Sequence, residues 1–67
     1  MPRASSASSD RVTVTNAGWI PDSLIGSEVV FGTNPARFTV VSNTLDTLVF
    51  QASDGNASGM NGLALRG

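Results

Sequence analysis

The stretch of residues 19–50 constrains the fold most, because it contains three short apolar segments separated by turn residues. These segments are rich in Val, Phe and Thr, which favour β-strands. Asn34-Pro35 is a strong turn signal between the first two segments, and residues 43–46 form a hairpin connection of ordinary length between the last two. The predicted strands cover residues 11–15, 27–31, 37–42 and 47–52, with a last short strand at 63–65.

A single helical turn is predicted after Trp19. Pro21 and Asp22 suit the first turn of a helix, and Gly26 suits its C-terminal cap. The segment is too short for a longer helix, and we expect it to bring Leu24 and Ile25 under the sheet. The fold class that follows is all-β, a small antiparallel barrel or sandwich of four to five strands with one short helical turn.

The central strands carry apolar residues on both faces, whereas a free-standing antiparallel sheet normally has one polar face. This pattern indicates either a closed barrel or sandwich, or a sheet face that another chain covers. The residues predicted to anchor the core are Trp19, Phe38, Val40, Leu48 and Phe50. The residues predicted to form an interface are Val30, Val41, Val49, Leu63 and Leu65.

The chain has 67 residues and contains neither Cys nor His, so disulfides and Cys/His zinc sites cannot stabilise it. A domain of this size has a marginal core, and association is the remaining means of stabilisation. We therefore expect a homo-oligomer. Four arginines against five acidic residues form no basic stripe for nucleic acid. No apolar run is long enough to predict a membrane span.

The two ends of the domain differ in composition from its centre. Residues 1–10 are dominated by Ser and Ala without apolar periodicity, and we expect a flexible arm there. Such an arm could instead become ordered on a neighbouring subunit. Residues 11–67 are predicted to form a single β domain. Within it, the glycine-rich residues 53–62 are predicted to be a loop that, like the arm, adapts to a partner.

Catalysis has almost no support in the sequence. No His or Lys is present to activate a serine nucleophile. The carboxylates of Asp22, Asp46 and Asp54 fall at turn positions, which Asp favours for local hydrogen-bonding reasons. A paired acid and base or a calcium site is the less favoured interpretation of these residues. We predict no enzyme, with no catalytic, cofactor-binding or metal-binding residue and no cofactor.

Residues 12–31 and 37–50 together resemble a β module that recurs in phage virion proteins and in bacterial surface proteins. The pattern is a strand, a Trp-x-Pro turn with Leu-x-Gly, a second strand, and then an aromatic strand that ends in V-S-N-T before the last strand. The matching residues are Trp19, Pro21, Leu24, Gly26, Ser42, Asn43 and Thr44. The resemblance implies a structural role in a virion, for example in capsid decoration or in the tail, and it implies that the homo-oligomer is a trimer.

The function predicted from the sequence is that of a phage virion structural protein, a capsid decoration or cement protein that binds and stabilises a protein lattice. Its partners would be the major capsid protein or a tail protein, with no nucleic acid and no membrane. It would reside in the virion, after assembly in the host cytoplasm. The alternative is a carbohydrate-binding or adhesive module of a tail fibre or cell-surface protein, in which Trp19 stacks on sugars.

Overall fold

The protein is an antiparallel β-sheet of six strands, described by a computed structural model for residues 3–66 apart from the side chain of Ala52. The strands are β1 Ser6–Ala7, β2 Arg11–Thr13, β3 Glu28–Phe31, β4 Phe38–Asn43, β5 Thr47–Phe50 and β6 Leu65–Arg66. Their order in the sheet is β1-β2-β5-β4-β3-β6, and every neighbouring pair is antiparallel. The predicted all-β fold is confirmed, with six strands in place of four to five.

The sheet curls into a half-barrel, and hydrogen bonds link its two outer ends. The Ala4 N–H donates to the Leu63 carbonyl at 3.0 Å, and the Gly62 N–H donates to the Ala4 carbonyl at 2.8 Å. An isolated antiparallel bridge between Arg3 and Ala64 continues this contact. Strands of two to six residues can therefore enclose one core without a second sheet.

Three phenylalanines fill the centre of the core. Phe31, Phe38 and Phe50 are buried, and their ring centroids lie 5.1–6.0 Å apart. Edge-to-face and tilted arrangements at these distances are favourable for aromatic rings. Val40 and Leu48, also predicted for the core, are buried beside them, and Trp19 is half-buried against the same cluster.

The N-terminal segment is part of the domain, so the prediction of an arm outside it is wrong for residues 3–10. Ser6 and Ala7 form β1 and pair with Thr13 and Val12. Ala4 is only 2% exposed and belongs to the core. Backbone hydrogen bonds and the small apolar side chains of Ala4 and Ala7 hold this segment, and these contacts leave no apolar period in the sequence. Met1 and Pro2, which were included in the predicted arm, lie outside the described residues, as does Gly67 of the predicted domain.

Two successive turns replace the helical turn predicted after Trp19. The Ser23 N–H donates to the Ile20 carbonyl at 3.1 Å, and the Ser27 N–H donates to the Leu24 carbonyl at 2.9 Å. The third residue of each turn has a positive φ, 61° at Asp22 and 87° at Gly26, as type II turns require. Because a left-handed residue cannot continue a right-handed helix, the positive φ of Asp22 prevents a helical turn.

The loop predicted at 53–62 is more structured than expected. Two 3₁₀ helices, Ala52–Asp54 and Ser58–Met60, form there, and they are the helical elements of residues 3–66. Ala57 and Met60 are buried in the core. The Ala57 N–H also donates to the Ser9 carbonyl at 2.9 Å. This segment therefore packs under β1 and β2 through Ala57 and Met60, while most of its other residues are exposed, and its role as an adaptable contact stays a prediction.

A β-bulge interrupts the pairing of β4 with β5. Val40 pairs with Phe50, but the next pair is Ser42 with Val49, so Val41 is an extra residue on β4. A bulge shifts the alternation of side chains along the strand. Val40 and Asn43 are consequently both buried, whereas Val41 lies on the surface.

Candidate functional site

The segment of residues 19–27 lies along β4 and the turn that follows it. The Trp19 N–H donates to the Leu45 carbonyl at 3.0 Å, and the Asp22 N–H donates to the Asn43 carbonyl at 2.9 Å. Further along, the Gly26 N–H donates to the Val40 carbonyl at 2.8 Å. We call the two successive turns of residues 20–27 the double turn. These bonds join the double turn and the β4–β5 hairpin into one corner of the molecule.

All four large hydrophobic side chains that the described residues expose belong to this corner. They are Ile20 (73% exposed), Leu45 (62%), Ile25 (54%) and Val41 (44%). We call these four residues the apolar corner. Single exposed apolar residues are ordinary, but a group of them on one part of the surface indicates a contact site for another molecule.

Asn43 holds the two halves of the corner together. It is only 2% exposed, and its Oδ1 accepts a hydrogen bond from the Leu24 N–H at 3.0 Å. Its Nδ2 donates to the Ile20 carbonyl at 3.0 Å and to the Thr44 carbonyl at 3.2 Å. A buried amide satisfied in this way fixes the double turn against the hairpin, and with it the position of Ile20.

We expect Asn43→Ala to lower the free energy of unfolding by about 2–4 kcal/mol, because it leaves the Leu24 N–H without a partner inside the protein and removes the hydrogen bonds from Asn43 to the Ile20 and Thr44 carbonyls. Urea unfolding followed by circular dichroism measures this loss. Asn61→Ala is the matched control, since Asn61 is exposed. Equal stability of the two variants would contradict the structural role given to Asn43.

The predicted interface residues differ in their exposure. Val41 belongs to the apolar corner, while Val30 and Val49 are half-buried on strands β3 and β5. Leu63 packs against the core, and Leu65 is 6% exposed and belongs to the core. Leu65 is therefore wrong as an interface residue, because the closure of the sheet through residues 62–64 turns it inward.

Sequence reasoning missed Ile20, Ile25 and Leu45 as surface residues. Ile25 was expected under the sheet with Leu24, but Leu24 alone packs against the core. The sequence feature that could have indicated an exposed apolar residue is the position of Leu45. It lies in a connection of only three residues between β4 and β5, where an apolar side chain has little access to a core.

A shallow depression of about 400 Å³ lies next to the corner, lined by Asn16, Ala17, Gly18, Leu45 and Asp46. None of these lining residues is aromatic, and Trp19 is not among them. Sugar-binding sites depend on exposed aromatic faces. Because the indole of Trp19 is half-buried against the core, the depression gives the carbohydrate-binding alternative little support.

Among the carboxylates predicted as turn residues, Asp46 forms local hydrogen bonds, and Asp54 bonds to a strand residue distant in the sequence. Asp46 Oδ1 accepts from the hydroxyls of Thr44 and Thr47 at 3.3 and 3.0 Å. Asp54 Oδ2 accepts from the Thr39 N–H at 2.6 Å. Among residues 3–66, no group of three or more acidic side chains lies close enough together to hold a metal ion.

The arginines of the sheet are engaged locally. Arg11 Nε lies 3.1 Å from Asp10 Oδ1, and the hydrogen bond from Arg11 lowers the pKa of Asp10. Arg37 lies 3.3 Å from Glu28, and Arg66 Nη1 donates to the Gly32 carbonyl at 2.9 Å. These contacts are exposed, so each contributes little to stability.

In the part of the chain that the structure describes, no helix is both long enough and apolar enough to span a membrane. The chain has no significant match to any protein-family model, curated protein or solved structure.

Proposed function

We propose that this protein is a non-enzymatic structural protein that attaches to a protein lattice through its apolar corner, as a decoration or cement protein of a phage capsid. The observation that carries the proposal is the concentration of exposed Ile20, Ile25, Val41 and Leu45 on two segments hydrogen-bonded to each other. The centres of protein–protein interfaces are apolar, as are the four side chains of this corner, and charged residues lie at the rim of such interfaces.

The phage setting is supported by the resemblance described above. The residues that carry it lie on the two segments that build the apolar corner: Trp19, Pro21, Leu24 and Gly26 on the double turn, and Ser42, Asn43 and Thr44 on the hairpin. Asn43 and Leu24 are joined directly through the Asn43 side chain. The pattern that suggests a virion module is thus the pattern that presents the proposed contact surface.

In this proposal, the lattice provides a large partner surface, and binding to it buries the exposed apolar side chains of this 67-residue chain. The partner is the major capsid protein or a tail protein. Several copies of the protein, such as a trimer, bind next to one another on the lattice and contact each other there. The protein is incorporated in the virion after assembly in the host cytoplasm.

Immunogold electron microscopy of particles purified from the cells that make this protein tests the proposal. The expected result is gold label distributed in many copies over the particle shell. Label confined to fibres or to the cell surface would contradict it. Together with binding to a glycan array, such label would favour the adhesive alternative, in which Trp19→Ala removes sugar binding without unfolding the protein.

A further inference from the structure

The apolar corner is bordered by negative charge. Asp22 lies on the double turn between Ile20 and Ile25, and Asp46 follows Leu45 in the hairpin connection. Both are exposed, and neither forms a salt bridge with an arginine among residues 3–66. The arginines whose contacts are described above lie on β2, just before β4, and on β6.

The carboxylate of Asp46 is held in a defined position. Its Oδ1 accepts hydrogen bonds from Thr44 and Thr47, which leaves Oδ2 without a donor in the described part of the protein. A fixed carboxylate with a free oxygen is well suited to a cationic side chain of a partner, because little side-chain entropy is lost when they pair.

This arrangement argues against a second copy of the chain as the occupant of the corner. A two-fold interface would bring the same surface of both copies together. Asp22 and Asp46 of one copy would then lie near the same carboxylates of the other, and like charges brought together at an interface are unfavourable. A different surface, with positive charge around an apolar centre, meets no such repulsion.

We propose that the apolar corner binds a protein surface on which apolar side chains are bordered by Arg or Lys, so that these cations meet Asp22 and Asp46. The inference rests on the proposed function, since it describes the partner surface for the same corner. The apolar centre provides most of the binding energy, while the charged border determines orientation and excludes acidic surfaces.

Three amphipathic helical peptides of equal length test this inference. They share a leucine face and carry Lys, Gln or Glu at the positions that flank this face. Binding to the full chain is measured from amide chemical-shift changes by NMR, which also map the site. The expected result is that the Lys peptide binds most tightly and shifts the amides of residues 20–25 and 41–46, and that added salt weakens its binding.

A matched pair of double variants separates the border charges from the net charge. Asp22→Asn with Asp46→Asn removes the two corner carboxylates, and Asn tolerates the positive φ of Asp22. Asp10→Asn with Glu28→Gln removes two exposed carboxylates that are paired with Arg11 and Arg37, and it changes the net charge equally. The corner variant is expected to bind the Lys peptide roughly threefold to tenfold more weakly, and this control variant less than about twofold more weakly.

Each contrary outcome has a distinct meaning. Equal binding of the three peptides at the corner would overturn the inference and leave the corner standing as an apolar docking surface. Equal weakening by the two double variants would also overturn it, because net charge alone would then explain the preference for Lys. No peptide binding at the corner would overturn it as well, and the immunogold result would decide independently whether the protein attaches to a particle shell.

Discussion

Removal of residues 1–9 is expected to unfold the protein. Ala4 leaves the core, and its backbone hydrogen bonds with Leu63 and Gly62 are lost. Removal of Ser9 leaves the Ala57 N–H without its acceptor. The hydrogen bonds of β1 to β2 are lost as well, so β2 becomes an unprotected edge strand. Buried backbone groups without partners are costly, and several would be created at once.

The size of this effect exceeds what a small domain tolerates. Each lost hydrogen bond removes about 1 kcal/mol of stability, whereas a chain of 67 residues has a total of about 3–10 kcal/mol at typical values per residue. Circular dichroism during thermal unfolding measures the loss. Arg3→Ala in the full chain is the control, because Arg3 is exposed. A truncated protein that melts like the full chain would show that residues 3–9 do not stabilise the domain, as the sequence had suggested.

Val40→Asp is expected to abolish folding, whereas Val41→Asp is expected to leave the fold intact. Val40 is 0% exposed, and an unpaired carboxylate at its position would be buried among the core phenylalanines. Val41 is 44% exposed because the bulge places it on the surface. Two neighbouring valines of one strand therefore give opposite results for the same substitution.

Soluble expression and circular dichroism distinguish these variants, and co-sedimentation with the particle shell measures attachment. Folded Val41→Asp is expected to bind at least tenfold more weakly, by about 1.4 kcal/mol or more, because a charge is placed within the apolar corner. If both variants fold poorly, Val41 has a structural role that its exposure does not reveal. If Val41→Asp binds like the natural protein, Val41 is not part of the contact surface.

The central hairpin could be predicted from the sequence because its signals are local. Phe38 and Val40 alternate with polar Thr39, and Leu48 and Phe50 alternate around Val49, which assigns one face of each strand. Phe38, Val40, Leu48 and Phe50 are all buried, as these patterns predict. The bulge could not be predicted, because consecutive valines at 40 and 41 carry no information about which of them faces inward.

Other features depend on contacts between distant parts of the chain. The N-terminal segment joins residues 62–64 through backbone atoms, so its Ser- and Ala-rich composition does not reveal its pairing. The apolar corner depends on Asn43, which ties the turn at Ile20 and Leu24 to the hairpin. A polar residue at a strand end gives no indication, from sequence alone, that it will be buried and hydrogen-bonded across the fold.

The most direct test of the account is photo-crosslinking of the protein on its particle. A photoreactive amino acid replaces Leu45 in the apolar corner, and in a second variant it replaces Asn56, which is exposed and lies on the segment between the two 3₁₀ helices. The account predicts that the variant at position 45 forms a crosslink to the lattice protein, whereas the variant at position 56 forms none. A crosslink from position 56 without one from position 45 would contradict the assignment of the apolar corner as the docking surface.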